Sequence, residues 1–434
     1  MAIIYNKDYK IFGLFRKFGL ALSSVILLAS TPAFALGDDW GNSLDNSDSD
    51  LEWEQPLDRS FVHDWEINPA KGFPTISRKN ITHTETAIRK YAAIASKGGW
   101  PSVKLKKGSK LGEGISAPAV VTLRKRLSIS GDLRQAGGYQ KTFDSYVTEA
   151  VKKFQVRHGL TPTGIVDDAT VKALNVSAQA RLRQLRMNLV RLRTQASSAA
   201  KRYVLVNIPA AQVEAVENDT IASRHAAVVG KVDRQTPILR SKIHQINFNP
   251  YWTIPRSIIR KDLIPQAKLY AKRGKDLLSA YRITAFDGSG RAVSGKNINW
   301  SSPSALNYRY RQDPWKQNSM GFVKINFHNK HAVYMHDTPS QSLFGRNLRA
   351  HSSGCIRVQN VKNLVSWILR DNGDWGINRI ENIKQTGERQ DVSVKKSVPV
   401  YFVYLTAWAT PDGGVHFRRD LYRRDGVGVT ASAY

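Results

Sequence analysis

A chain of 434 residues, 41% hydrophobic and 9% aromatic, is too long for one small domain and too apolar to be disordered throughout, so two or three folded units are expected. Its formal charge of +30 is spread along the chain without a dense Lys/Arg tract, which favours a general attraction to a polyanionic neighbour over sequence-reading of nucleic acid; for an exported chain that neighbour is cell-wall polymer or anionic lipid. A single cysteine, Cys355, excludes an intrachain disulfide framework and a cysteine zinc cage. The thiol therefore has three readings: chemistry, an intermolecular bridge, or inert burial.

Residues 1–35 combine basic Lys7, Lys10, Arg16 and Lys17, an apolar run over 18–29 and Ala33-Phe34-Ala35. That is the pattern of a signal peptide cleaved near Ala35, and the apolar run is too short for a stable transmembrane anchor. Residues 36–58, with Asp38, Asp39, Asp45, Asp48, Asp50, Glu52 and Glu54, read as an acidic flexible linker. Helical spacing of Ala87, Ile88, Tyr91 and Ile94 predicts a helix over 82–97, stopped by Gly98-Gly99 and Pro101. Residues 59–115 and 176–200 are assigned to a helical scaffold. Between them, 116–175 forms a three-helix module: Val120, Leu123 and Leu127 recur at helical spacing, then Val147, Ala150, Val151 and Phe154 up to Gly159, then Val171 and Leu174. The basic segment 178–194 places Leu182, Leu185, Leu189 and Leu192 on one stripe, which predicts a helix packed on the next domain.

After Arg202 the apolar period falls from 3.6 to 2. Strands are predicted over 203–208, 226–232, 331–336 and 398–405, within a mostly β domain spanning 201–394. An apolar helix over 256–275 and a polar, loop-rich stretch to Met320 interrupt it, an insertion (256–320) long enough to be a lid. Residues 395–434 are expected to pack as a C-terminal strand segment on the catalytic and scaffold regions. The fold class is therefore α+β, with several domains.

The chemistry concentrates in His336 and, fifteen residues beyond it, Ser352-Ser353-Gly354-Cys355-Ile356-Arg357. A thiol becomes an acyl acceptor when an imidazole takes its proton or stabilises the thiolate, which makes Cys355 and His336 the candidate pair, with His351 the rival base. Gly354 allows the tight turn that aims backbone N–H groups at an oxyanion. Arg357, two residues on along a strand, shares a face with Cys355 and can hold a carboxylate. Strand phase puts His336 with Tyr334. Ser352 and Ser353 shape the loop. The absence of HExxH, CxxC, a P-loop and a dinucleotide fingerprint predicts neither metal nor cofactor.

Two resemblances sharpen this reading. Glu149-Ala-Val-Lys-Lys-Phe-Gln-Val-Arg-His-Gly-Leu160, Gly164-Ile-Val-Asp167 and 170–175 resemble the peptidoglycan-binding domain. The His336 to Gly354-Cys355 spacing resembles the YkuD-like L,D-transpeptidase domain, although Ser353 stands where that motif has a histidine. Ser-Ser-Gly-Cys followed by Arg357, together with 206–209, 228–231, Thr236-Pro237, 249–255 and 404–408, is similar to the larger periplasmic YcbB-type branch. The resemblance implies a β-sandwich catalytic domain with a helical lid and a cysteine nucleophile forming 3→3 cross-links between peptidoglycan stem peptides. It also implies peptidoglycan glycan as a partner, carbapenem-type β-lactams as inhibitors, a Gram-negative periplasmic location, and Trp252 and Tyr334 as aromatic pocket residues beside Ser352 and Arg357. The alternatives are an L,D-carboxypeptidase on the same stems and a non-catalytic peptidoglycan-binding scaffold.

Overall fold

The computed structural model describes residues 72–134 and 140–426; the expected signal peptide and acidic linker lie outside the described residues. The helical half begins with α1 (Arg78–Ser96), whose first turn is closed by the Ser77 side chain accepting from the Lys79 N–H. Three helices follow, α2 (Pro118–Ser130), α3 (Ser145–Arg157) and α4 (Asp168–Leu174). Asp144 and Asp167 cap α3 and α4 by accepting from Val147 N and Thr170 N, and Gly131 in the left-handed region ends α2. Val120, Leu123, Leu127, Val147, Phe154 and Leu174 form the core of this module.

Helix α5 (Ala178–Ser197) packs on α1, but not with the predicted stripe alone. Leu182, Leu185 and Leu192 are buried, whereas Leu189 is only half-buried and Arg181, Gln184 and Asn188 are buried with the leucines. The partner face explains the rotation: Asn188 Nδ2 donates to Thr406 Oγ1 at 2.7 Å, Asn188 Oδ1 accepts from Thr406 N at 2.9 Å, and Gln184 Nε2 donates to Arg418 O at 2.9 Å. The helix thus satisfies backbone groups that would otherwise be buried unpaired. Among the described residues, no helix is long and apolar enough to cross a membrane.

The period-2 segments build one large sheet. Its first strands are β1 (Arg202–Asn207), β2 (Gln212–Glu217), β3 (Thr220–Gly230) and β4 (Leu239–Phe248). An insertion supplies β5 (Trp252–Thr253), β6 (Ile283–Phe286), β7 (Ala292–Val293) and β8 (Arg309–Gln312). The chain then returns with β9 (Val323–Phe327), β10 (Met335–His336), β11 (Ala350–Ser352), β12 (Ile356–Val358) and β13 (Gln390–Val403). Nine strands run in the order β11-β3-β12-β10-β9-β4-β13-β1-β2, and β2 also pairs with β3. The two layers expected of a sandwich are therefore one ladder closed through β3, whose first part pairs with β2 and whose last part pairs with β12 and β11. Alternation decides the faces: Val204 and Val206 join the inner core with Ile325, Met335, Ile356 and Leu364, while Tyr203 and Leu205 face Ile76, Leu192 and Trp408.

The insertion between β4 and β9 corrects one expectation. Its helical part is present, as a π-helical turn (Ile259–Leu263) leading into α6 (Ile264–Lys272). The stretch read as loop is not loop throughout: it holds a four-stranded antiparallel sheet, order β5-β8-β6-β7, over a core that includes Leu263, Leu278, Ile283, Trp300 and Tyr310. Strands of two to four residues separated by Gly, Ser and Asn turns are too short to show a period in sequence.

The C-terminal hairpin, β14 (Ala407–Ala409) and β15 (Val415–Phe417), lies between the two halves. Asn207 Nδ2 donates to Leu405 O at 3.1 Å on the sheet side, and Ala409 N donates to Thr84 Oγ1 at 3.0 Å on the helical side. The module is tied in as well: Arg157 Nη1 donates to Val415 O at 3.2 Å, Arg418 Nη1 donates to Arg157 O at 3.0 Å, and Thr161 N donates to Asn347 Oδ1 at 2.8 Å. Gly159, past the end of α3 at φ 71°, permits this approach, since a Cβ there would stand 2.7 Å from Arg418 Cδ.

Candidate active site

Three adjacent strands put a row of side chains on one face. β10 pairs in parallel with β12, His336 opposite Arg357, and antiparallel with β9, His336 opposite Lys324. Their neighbours Ile325, Met335 and Ile356 are fully buried in the core, so by alternation Lys324, His336 and Arg357 emerge together on the other side. Cys355 directly precedes β12, where Ile356 N donates to Tyr334 O at 2.9 Å and so sets the cysteine beside residue 334. Cys355, His336, Arg357, Tyr334, Trp252, Ser352 and Ser353 all line one cleft, whose opposite wall is the insertion with Pro255, Ile258, Asp262, Ser319 and Met320. The cleft is about 50 Å³, room for no more than a few waters.

The turn before Cys355 is closed by its own polar groups. Ser352 Oγ donates to Cys355 O at 2.6 Å and accepts from Gly354 N at 3.1 Å. Gly354 has φ 111°, a conformation that a side chain would strain, although a Cβ there would find only ordinary contacts at 3.5 Å. The turn is braced from β3: Thr236 Oγ1 donates to Gly354 O at 2.9 Å and accepts from Gly230 N at 2.9 Å, while Tyr422 Oη donates to Gly230 O at 2.6 Å. This geometry revises two expectations. The Gly354 N–H points at Ser352 rather than into the cleft, and the Ser352 hydroxyl is engaged by the turn rather than offered to a ligand.

His336 is buried, and its Nδ1 bonds to the Asp337 carbonyl. A carbonyl can only accept, so Nδ1 carries the proton and Nε2 keeps the lone pair that a general base needs. Burial pushes the Cys355 thiol pKa up, against the Tyr334 N–H, the Lys324 ammonium and the Arg357 guanidinium, which all favour the thiolate. The resting group is accordingly a thiol rather than a thiolate. Burial likewise lowers the Lys324 pKa, the Cys355 charge opposing, and its Nζ sits 3.9 Å over the Tyr334 ring.

Every predicted site residue except Gly354 lines the cleft, and Gly354 forms the turn behind it. The rival base His351 does not line it; its Nε2 lies 3.0 Å from Leu348 O. Lys324 and Asp262 escaped the sequence reading. The signal for Lys324 was the alternation of Val323, Ile325 and Phe327, all buried, which leaves Lys324 on the cleft side. A larger cleft of about 250 Å³ lies between Gly159 of the module, Ala210 and Trp408 and shares no lining residue with the cleft at Cys355. Its Arg349 donates to the carbonyls of Ala227, Arg346 and Ala210, a structural use of the guanidinium.

Residues 201–398 match the family model of the L,D-transpeptidase catalytic domain, YkuD, and residues 116–174 match a second, described as "Putative peptidoglycan binding domain". The chain carries a YkuD-type L,D-transpeptidase catalytic domain. A "Putative L,D-transpeptidase" of Haemophilus influenzae is 30% identical over 223 residues, which are 51% of this chain and 44% of that relative, so the chain spans less than half of the relative's length. Among solved structures, an L,D-transpeptidase from Xylanimonas cellulosilytica (residues 123–326) has 15% identity and a TM-score of 0.23, covering 69% of this chain and 100% of that one. An L,D-transpeptidase from Stackebrandtia nassauensis has 12% identity and a TM-score of 0.25, covering 70% and 96%. The matched residues span the closed sheet up to the middle of β13, the insertion and the whole cleft-lining set.

Proposed function

We propose that this protein is a cysteine L,D-transpeptidase that cross-links peptidoglycan stem peptides. The observation that carries the reading is the parallel pairing of β10 with β12, which brings Cys355, His336 and Arg357 to one cleft beneath an insertion. Cys355 Sγ attacks the carbonyl between the third residue of a tetrapeptide stem and its terminal D-alanine. The thiol proton passes to His336 Nε2, a sulfur–carbon bond forms, and His336 returns the proton to the departing D-alanine amine as the carbon–nitrogen bond breaks. An amine from a second stem then attacks the thioester, yielding a 3→3 cross-link and the free thiol. The Ser353 and Cys355 N–H groups are assigned to the oxyanion, since that of Gly354 is turned to Ser352. Arg357 holds a substrate carboxylate, and Trp252 and Tyr334 flank the stem. The module binds glycan, the 1–35 leader exports the chain to the periplasm, and carbapenem-type β-lactams acylate the same sulfur.

Purified protein incubated with disaccharide-tetrapeptides should give cross-linked dimers and free D-alanine by mass spectrometry, and the Cys355→Ala variant should give neither. Tripeptide monomers alone would make the enzyme a carboxypeptidase, with water as the acceptor. No covalent adduct and no product from folded protein would sink the catalytic reading.

A further inference from the structure

The insertion and the nucleophile turn share one side chain. Arg234, in the connection between β3 and β4, reaches from the sheet to both: its Nη1 donates to Asp262 Oδ1 at 2.9 Å and Oδ2 at 2.6 Å, and to Ser353 Oγ at 2.9 Å. Asp262 belongs to the π-helical turn of the insertion and lines the cleft opposite the cysteine, while Ser353 stands two residues before Cys355. Both ends are withdrawn from water, the side chains of Arg234 and Asp262 being 16% and 6% exposed. A carboxylate so placed is stable as an ion only while a cation holds it. Single π-helical turns within helices mark places where a side chain has been re-aimed, often for function, and Asp262 lies on this one.

We propose that Arg234 is a positioning residue that links seating of the insertion to the geometry of the nucleophile turn, through the Asp262–Arg234–Ser353 bridge. The cleft as it stands encloses only about 50 Å³, so covering a stem peptide there calls for the insertion to shift from its present seat. Lifting separates Asp262 from Arg234, returns both to water, and frees the guanidinium that fixes Ser353. Reseating over a bound stem restores both contacts together. Covering the donor and setting the turn become a single event, so that the nucleophile is fully positioned only when water has been excluded. Burial raises the Asp262 pKa against the pull of Arg234 and, after it, of Lys231 and Lys261, consistent with a carboxylate whose ionised form leans chiefly on the Arg234 contact.

This inference rests on the proposed function for its substrate but not for its test. The readout is alkylation of Cys355 by iodoacetamide, which needs only a reactive thiol, measured beside turnover of disaccharide-tetrapeptide. Asp262→Ala and Ser353→Ala are each expected to lower turnover about tenfold, and the double variant also about tenfold rather than a hundredfold, because both remove one linked unit. Asp262→Glu should recover most of the loss, and the alkylation rate of Asp262→Ala should rise as the insertion opens. Thermal melts establish that each variant is folded. Losses that multiply in the double variant, or an Asp262→Ala protein with unchanged turnover and alkylation, would overturn the linkage. Should the wild type turn over no stem peptide, the alkylation rates of the single and double variants still decide the bridge while the proposed function fails separately.

Discussion

Cys355, the proposed nucleophile, has surroundings that favour a protonated resting state: burial outweighs Lys324, Arg357 and the Tyr334 N–H. A raised thiol pKa means less thiolate at any given pH, so alkylation should still be climbing with pH above the ordinary thiol value of about 8.5. The same shift has a stability counterpart. A folded-state pKa above the unfolded one contributes stability that is complete below the unfolded value and is lost as pH rises through the folded one. Lys324→Met removes a cation that favours the thiolate and should move the alkylation profile to higher pH, whereas Lys324→Arg should hold it. In the proposed mechanism His336 acts differently: as a neutral base with Nδ1 committed to the Asp337 carbonyl, it accepts the proton only during attack. His336→Asn should therefore cost about 10² to 10⁴ in turnover while leaving the alkylation midpoint where it was. A midpoint that rises in His336→Asn would instead reveal a preformed thiolate–imidazolium pair.

Helix α5 shows how an element can be predicted in type and misjudged in face. Its leucines at 182, 185, 189 and 192 suggest an apolar stripe, yet Asn188 is buried and Leu189 half-exposed because the chain after β13 arrives with unpaired backbone groups. Asn188→Leu would improve the stripe by sequence criteria and leave Thr406 N without its acceptor. It should destabilise the protein by about 1–3 kcal/mol, read as a lower urea midpoint at unchanged slope. Had the stripe alone governed packing, the substitution would be neutral or stabilising. The same distinction runs through the site. His336, Cys355 and Arg357 were legible because period-2 phase and a short interval tie them to two adjoining strands. Lys324 and Asp262 were not, since one comes from a five-residue strand that the sequence analysis does not assign and the other from an insertion. The brace of Thr236 and Tyr422 behind Gly354 joins residues 186 apart in sequence, a contact that no local pattern announces.

Among the described residues, segment 404–425 runs between helices and sheet and satisfies polar groups on both. The module is part of this arrangement, so its position relative to the catalytic cleft is fixed by buried bonds and not by a linker. Arg157 is the hinge pin: its guanidinium pairs with Asp132 inside the module, with side-chain exposures of 8% and 2%, while Nη1 reaches Val415 O and its own carbonyl accepts from Arg418. Arg157→Leu leaves Asp132 buried without its cation, a loss of about 3–5 kcal/mol by precedent for broken buried pairs. If the module folded as a separate bead, calorimetry of this variant would show a displaced module transition beside an unmoved catalytic one. Integration through the C-terminal segment predicts one cooperative transition in the wild type, shifted as a whole in Arg157→Leu. A wild type that melts in two steps would mean that the bonds through Val415 and Arg418 do not couple the halves, and the cleft would then have no fixed placement with respect to the module.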